Sequence, residues 1–179
     1  SSFTIYDTSD SERLMKEILR DMNLDDKTYP PRYVLSIIGR QKDRLISPEQ
    51  MEEDSRSASD YRIVQIAKAY AVYQKRLKDN NALDFDDILY VTVKLLQQDR
   101  EAREYYQRKF HYVLVDEYQD TNHVQYLLTE LLAGDRRNIC VVGDDDQSIY
   151  RFRQADPSIF RAKLNSWPEL PDGTARCSA

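Results

Sequence analysis

Two short apolar runs, separated by an amphipathic segment, constrain the fold of this chain more than any other feature. The runs are YVLV, residues 112–115, and ICVV, residues 139–142. Short continuous apolar runs are typical of strands that are buried on both faces of a parallel sheet. The segment between them, NHVQYLLTELLAG, has helical periodicity and ends at Gly134, which predicts a helix with a glycine C-cap. Strand, helix and strand in this order predict a right-handed crossover unit.

The residues before these runs predict a helical region. Apolar residues recur at helical spacing from Tyr61 to Leu77 and in two earlier segments. Pro30 and Pro31 mark a break and the start of the second helix, because proline is favoured in the first turn. The polar segment 47–60 predicts a loop or a short surface helix.

Capping residues indicate where the helices begin. Thr8 or Ser9 is the expected N-cap of the first helix. Asp84 is the expected cap of a helix that runs to about Gln98, and a further short helix leads to the first apolar run.

The predicted fold class is therefore α/β and predominantly helical. We expect a helical domain over residues 1–105 and part of a parallel α/β domain over residues 106–179. Two strands do not make a stable parallel sheet alone, so either further strands lie outside this chain or the arrangement is unusual.

Composition excludes several classes of protein. A hydrophobic content of 41% and a charged content of 32% are typical of a globular protein, and no apolar run approaches the ~20 residues that span a bilayer. The net charge of −5 argues against a surface coated in basic residues but leaves a local basic groove open. Cys140 and Cys177 indicate neither a disulfide framework nor a metal cluster. Because the first residues lack the features of a signal peptide, we expect a cytoplasmic location.

Acidic residues follow both apolar runs. Asp116 and Glu117 come directly after the first run, and three aspartates, residues 144–146, follow the second. Ligands of open α/β sheets bind outside the carboxyl ends of the strands, where these acids would form a negative cleft that a cation must neutralise. Magnesium with a nucleotide fits best, since one carboxylate holds the ion while the adjacent one orients and deprotonates the attacking water.

Helix capping is the structural alternative for these acids. Asp120, Thr121 and Asn122 are all good caps for the helix that follows. For an isolated acidic pair after a strand, capping is the more frequent explanation. We expect Asp120 to cap the helix and leave Asp116 and Glu117 for chemistry.

Longer motifs favour the chemical interpretation. VLVDEYQDTN followed by VVGDDDQSIYRFR closely resembles motifs II and III of the UvrD/PcrA/Rep-type superfamily 1A DNA helicases, and ALDFDDILY resembles a signature that precedes motif II. The resemblance implies that residues 1–105 are a helical 1B-type domain inserted in a RecA-like domain, 1A. It also implies a 3′ to 5′ DNA helicase that uses ATP and Mg²⁺ and acts on single-stranded and duplex DNA. The lack of a long apolar run predicts no membrane association.

The resemblance assigns a role to each motif residue. Asp116 would bind magnesium, Glu117 would activate the hydrolytic water, and Gln119 would lie near the nucleotide. In the second motif, Asp144 and Gln147 would sense the γ-phosphate, Gln147 taking part in catalysis.

Aromatic residues of the second motif would contact DNA. The resemblance places Tyr150 and Phe152 against single-stranded DNA, with Arg153 supporting them. Aromatic rings stack on any base, and a phosphate-sensing residue three positions away would couple ATP hydrolysis to movement. Packing of both rings in the core is the alternative. The basic residues of the helix at 61–78 are more simply explained as a solvated face than as a DNA groove.

Three departures from the family pattern limit the expected activity. No G-x-x-x-x-G-K-S/T phosphate loop occurs in the 179 residues, Gln154 stands where the family usually has glycine, and the second RecA-like domain with its arginine finger is absent. We therefore interpret the chain as a helicase fragment that neither hydrolyses ATP nor unwinds DNA alone. The other hypotheses are a DNA- or protein-binding helical accessory module and part of a helicase–nuclease subunit.

Overall fold

The computed structural model describes residues 3–56, 60–143, 158–159 and 162. Within these ranges the structure contains seven α-helices and four short strands. In chain order the elements are β1 (Thr4–Tyr6), α1 (Thr8–Asp21), α2 (Pro31–Asp43), α3 (Pro48–Ser55), α4 (Tyr61–Asp79), β2 (Ala82–Asp84), α5 (Phe85–Gln98), α6 (Arg100–Lys109), β3 (Val113–Val115), α7 (His123–Ala133) and β4 (Ile139–Val141). The mostly helical α/β class predicted from the sequence is confirmed.

The chain separates into two compact units, Ser1–Tyr90 and Val91–Ala179, and the division falls within α5. The boundary at residue 105 stays a prediction.

Helix α1 begins one residue earlier than expected. Asp7 is the N-cap, and its carboxylate accepts a hydrogen bond from the backbone N–H of Asp10 at 2.8 Å. Thr8 and Ser9, the predicted caps, already have helical backbone. Asp7 fits this position because its backbone is extended and its negative charge lies at the positive end of the helix dipole.

Proline residues start the next two helices. Helix α2 begins at Pro31, as predicted, and the polar segment 47–60 contains the short helix α3, which starts at Pro48. The side chain of Ser47 caps α3 by accepting from Gln50 N–H at 3.3 Å. Proline at these positions gives up no helical hydrogen bond, since the first N–H groups have no partner within the helix.

The first unit contains a parallel strand pair that the sequence did not predict. Strands β1 and β2 pair in the register Thr4↔Ala82 and Tyr6↔Asp84, although four helices separate them along the chain. Each strand has three residues, which is too short for a period-two pattern to be distinguished from helix.

Helix α4 lies in the core of the first unit. Its predicted extent, Tyr61 to Leu77, is confirmed within two residues. Tyr70 and Tyr73 are among the largest fully buried side chains, packed with apolar residues of α1 and α2. The remaining members of this core are Leu14, Met15, Ile18, Leu19, Tyr29, Val34, Ile38, Met51, Ile66, Ala67, Ala69, Leu77 and Ala82.

In the second unit, β3 and β4 form a parallel pair joined by α7, so the predicted strand–helix–strand order is confirmed. Val113 pairs with Ile139 and Val115 with Val141. Burial on both faces of the sheet is wrong for this chain, because Leu114 is 76% exposed whereas Ile139 is 6% exposed. Helix α7 packs on β3, and successive strand residues point to opposite faces, so residues such as Leu114 face outward.

Gly134 ends α7, as predicted. Its φ of 56° lies in the left-handed region, and a Cβ atom there would lie 2.6 Å from Nε2 of Gln107. That amide group donates to the carbonyl of Leu131 at 2.8 Å, which holds α6 against α7. The backbone conformation therefore requires glycine, and a Cβ atom would also displace the Gln107 side chain.

Candidate functional site at the carboxyl end of β3

The two acids after β3 lie in a turn that is tied to the end of β4. Val142 N–H donates to the carbonyl of Val115 at 2.8 Å, and Tyr118 N–H donates to the carbonyl of Val142 at 2.9 Å. These bonds bracket Asp116 and Glu117 and place them beside the exit of β4. The carboxyl ends of both strands therefore meet at one edge, where α/β proteins bind ligands.

Glu117 has a left-handed backbone, with φ 52° and ψ 42°. For a residue with a Cβ atom this conformation costs of order 1–2 kcal/mol. Three hydrogen bonds hold it: Glu117 N–H donates to Asp116 Oδ1 at 2.9 Å, Glu117 O accepts from Asp120 N–H at 2.9 Å, and Glu117 Oε2 accepts from Gln119 Nε2 at 2.6 Å. Strained backbone is enriched at functional sites, although in this chain it also occurs shortly after helices, at Asn23, Leu45 and Asn81.

The acids differ from Gln119 in exposure. Asp116 and Glu117 are exposed, whereas Gln119 is 2% exposed. The bond from the buried amide group to the Glu117 carboxylate is short and charge-assisted, so it fixes the direction of a side chain that would otherwise rotate freely. Gln119 is thus a positioning residue for Glu117.

The acidic pair fits a hydrated divalent cation. In the described part of the chain, no lysine, arginine or histidine lies within ion-pair distance of Asp116 or Glu117. The described residues also contain no cluster of three or more His, Cys, Asp or Glu side chains that could coordinate a metal ion. Magnesium suits such a site, because it keeps several waters and takes one or two carboxylates together with phosphate oxygens.

Tyr118 anchors the turn from below. Its side chain is buried, and burial, together with the charges of Tyr126 and Glu130, raises the pKa of Tyr118 to about 12. The phenol therefore stays neutral at physiological pH, and its buried ring packs beneath the turn.

Asp120 is not the helix cap, contrary to the expectation from sequence. Asn122 caps α7: its side chain accepts from Gln125 N–H at 3.0 Å, and Gln125 Oε1 accepts from Asn122 N–H at 3.0 Å. Asp120 lies two residues earlier, in the 3-10 turn Tyr118–Asp120, and is exposed. A cap must directly precede the first helical residue, and Asn122 meets that condition. Capping of α7 therefore accounts for none of the three acids.

The cap can be tested by a matched pair of substitutions. Asn122→Ala is expected to lower the free energy of unfolding by about 1–2 kcal/mol, because it removes both bonds of the capping box. Asp120→Ala is expected to change it by less than about 0.5 kcal/mol, as is usual for an exposed side chain. Urea unfolding measures the free energy of unfolding of both variants. A larger decrease for Asp120→Ala than for Asn122→Ala would mean that Asn122 is not the cap.

Several predicted site residues lie outside the residues that the structure describes. They include the residues predicted to sense the γ-phosphate, the residues predicted to contact DNA, and the glutamine that stands where the family usually has glycine. These residues are Asp144, Gln147, Tyr150, Phe152, Arg153 and Gln154.

The first unit contains a buried charged cluster that the sequence patterns did not predict. Lys42 Nζ lies 2.7 Å from Asp84 Oδ2 and 2.8 Å from Asp87 Oδ1. Tyr73 OH donates to Asp84 Oδ2 at 3.0 Å, and Gln74 Nε2 donates to Asp87 Oδ1 at 2.7 Å. Burial raises the pKa of Asp87, while the charge of Lys42 opposes that rise. Asp84 had a signal as a helix cap, but nothing in the sequence marks Lys42 as buried.

The fold and the site together define an α/β protein with a carboxylate pair at the ligand-binding edge of its parallel strands. The chain belongs to the UvrD/REP helicase family: residues 1–168 match the family's N-terminal domain, described as "UvrD/REP helicase N-terminal domain". The family indicated by the two motifs is thereby confirmed.

Curated relatives agree with this assignment. The ATP-dependent DNA helicase PcrA of Bacillus subtilis strain 168 is 48% identical over 155 residues, which are 87% of this chain and 21% of the relative. The helicase of the same name from Staphylococcus aureus strain Mu50 is 42% identical over 168 residues, which are 94% of this chain and 23% of the relative. The chain thus spans less than a quarter of the length of these relatives. No helix in the described ranges has the length and apolar character needed to cross a membrane.

Proposed function

We propose that this chain is part of an ATP-dependent DNA helicase that moves along DNA in the 3′ to 5′ direction. The observation that carries the proposal is the left-handed turn after β3, which presents Asp116 and Glu117 at the strand edge with Gln119 holding Glu117. Membership of the UvrD/REP helicase family and similarity to two helicases named PcrA support it.

In this proposal the two acids have different tasks in ATP hydrolysis. Asp116 would hold Mg²⁺, which would supply the positive charge that neutralises the nucleotide's phosphates. Glu117 accepts a proton from the water that attacks the γ-phosphate, so the proton moves to one carboxylate oxygen while the other keeps its bond from Gln119. Asp144 and Gln147 are proposed to sense the γ-phosphate of the bound nucleotide.

The DNA-binding part of the proposal rests on the second motif. Tyr150 and Phe152 stack on bases of single-stranded DNA, and Arg153 supports them. The helical region serves as the 1B-type domain that meets duplex DNA, and the remainder forms part of the RecA-like domain. We also propose a cytoplasmic location, which fits two cysteines with no disulfide framework.

The 179-residue chain alone is expected to show no ATPase activity stimulated by single-stranded DNA. Its sequence lacks the phosphate loop, whose backbone amides and lysine supply most of the affinity for the phosphates and much of the transition-state stabilisation. The measurement is phosphate release with and without single-stranded DNA, alongside the full-length enzyme. Turnover by the short chain that Glu117→Gln abolishes would contradict the prediction.

A further inference from the structure

Helix α6 and the residue after it present three aromatic rings on the surface of the second unit. The centroids of Tyr105 and Tyr106 lie 5.1 Å apart in an edge-to-face arrangement, and those of Tyr106 and Phe110 lie 5.9 Å apart with ring planes at 14°. Tyr105 is 53% exposed and Phe110 is 42% exposed. Contiguous exposed rings of this kind mark a binding surface, because their apolar faces are costly to leave in water.

A lysine lies over the same rings. Lys109 Nζ is 5.9 Å from the Tyr105 centroid and 5.8 Å from the Phe110 centroid, within cation–π range of both. In the described ranges no acidic side chain lies within ion-pair distance of Lys109, whereas Glu104 is bound by Arg100 at 2.6 Å and by Arg108 at 3.8 Å. Helix α6 carries four basic and two acidic residues, so it is positive in a chain whose net charge is −5.

We propose that this surface, formed by Tyr105, Tyr106, Lys109 and Phe110 and called here the α6 surface, binds single-stranded nucleic acid. Unpaired bases stack on the exposed rings, and Lys109 meets a neighbouring phosphate. Each requirement of such a site is present: a π-face accepts any base, and an unpaired cation contacts the backbone. Duplex DNA does not fit, because its bases are already stacked on one another. The inference rests on the proposed nucleic-acid function and adds a contact that the two helicase motifs do not contain.

The α6 surface is separated from the acidic edge of the sheet. Phe110 precedes β3, whereas Asp116 and Glu117 follow it. A three-residue strand covers about 10 Å, so the strand's length separates the rings from carboxylates that would repel phosphates. Nucleic acid on the α6 surface therefore leaves the nucleotide edge accessible.

The charge of α6 favours a polyanion over another protein segment as the occupant. Charged residues are depleted at the centre of protein–protein interfaces. Lys109, in contrast, lies above two of the three rings of this surface. Leu114 of β3 is also exposed, but its side chain is apolar and carries no charge that would attract a polyanion.

Fluorescence anisotropy with a labelled oligothymidine of roughly fifteen nucleotides, a length within the range of single-strand binding sites, tests the inference on the 179-residue chain. Tyr105→Leu keeps an apolar side chain but removes the π-face, and is expected to raise Kd about fivefold or more. Tyr105→Phe keeps the π-face and is expected to bind within about twofold of wild type. Lys109→Gln is expected to raise Kd and to lower the slope of log Kd against log salt concentration by about one. Tyr61→Leu, at an exposed tyrosine of the first unit, is the matched control and should bind like wild type.

Three results would overturn the inference. The first is no binding of oligothymidine by wild type, and the second is equal affinity of wild type and Tyr105→Leu. The third is equal affinity for an abasic strand of the same length, since stacking requires bases. The inference also fails if Tyr105→Leu lowers the melting temperature of the full-length protein without changing its DNA affinity, because another part of the polypeptide then covers the rings. None of these results affects the proposed ATPase, which is tested at Glu117. Equal affinity of wild type and Tyr105→Leu leaves Tyr150 and Phe152 as the proposed contacts, whereas no binding by wild type counts against those contacts as well, because they lie in the same chain.

Discussion

Under the proposed function, the full-length protein carrying Glu117→Gln is expected to hydrolyse ATP about 10²–10⁴ times more slowly than wild type, with little change in KM for ATP. Glutamine keeps the size of the side chain and an oxygen that accepts from Gln119, so the turn after β3 is preserved. What is lost is the ability of the side chain to take a proton from water. A loss in kcat without a change in KM indicates that an interaction of the transition state has been removed.

The experiment separates the two acids of the site. Steady-state ATP hydrolysis is measured at saturating single-stranded DNA over a range of Mg²⁺ concentrations. Asp116→Asn is expected to lower the apparent Mg²⁺ affinity, so that added Mg²⁺ restores part of its activity, whereas Glu117→Gln stays slow at every concentration. Asp120→Asn, at an exposed acid outside the proposed reaction, should retain wild-type rates.

Two results would contradict the roles proposed for Asp116 and Glu117. If Glu117→Gln keeps a rate within a few-fold of wild type, Glu117 is not the general base. If Mg²⁺ rescues Glu117→Gln but not Asp116→Asn, the assignments of the two acids are exchanged.

Local signals in the sequence were sufficient for most of the helices. Pro31 and Gly134 act on their own backbone, through a fixed φ and through freedom to adopt positive φ, so their effects do not depend on the rest of the fold. The pattern of α4 was equally clear because more than four turns repeat the same apolar face.

Features that depend on distant partners could not be predicted in this way. The pairing of β1 with β2 joins residues such as Ile5 and Leu83, and a three-residue strand carries no periodic signal. The exposure of Leu114 depends on how many layers cover the sheet, which a run of apolar residues does not report. The choice of Asn122 over Asp120 as cap depends on where the 3-10 turn ends, since both side chains are good acceptors.

The candidate site likewise has features that local sequence signals predict and features that depend on distant residues. The position of Asp116 and Glu117 directly after a strand was predictable from the apolar run that precedes them. Their geometry was not, because the left-handed backbone of Glu117 and its bond from Gln119 depend on hydrogen bonds to the end of β4. The roles of these residues stay predictions until the substitutions are measured.

The buried ion cluster of the first unit leads to the largest expected effect on stability. Lys42 is 1% exposed and contacts both Asp84 and Asp87, so Lys42→Met leaves two buried carboxylates without their cation. Removing one partner of a buried ion pair costs about 3–5 kcal/mol. The matched control is Arg76→Met, which breaks the surface ion pair with Asp21 (2.6 Å) and is expected to cost no more than about 1 kcal/mol.

Two further measurements test whether uncompensated charge, rather than lost packing, causes this destabilisation. Replacing both aspartates with asparagine in the Lys42→Met background removes the buried charges. In wild type Asp87 N–H donates to Asp84 Oδ1 at 2.8 Å, and the amide oxygen of asparagine at residue 84 can still accept this capping bond from the backbone N–H of residue 87. This triple variant is expected to recover most of the lost free energy of unfolding, because neutral groups cost less to bury.

The effect of pH follows from the direction of the pKa shift. Burial raises the pKa of Asp87 in the folded state, and loss of Lys42 removes the charge that opposes this rise. For an acid whose folded pKa is raised, the folded state is favoured most below the unfolded pKa and loses stability as pH rises toward the folded value. The deficit of Lys42→Met relative to wild type should therefore shrink as pH falls from about 7 towards about 4, near the unfolded pKa of aspartate. Urea unfolding at several pH values measures this deficit, and one that is the same at every pH would mean that packing around Lys42, rather than its charge, stabilises the first unit.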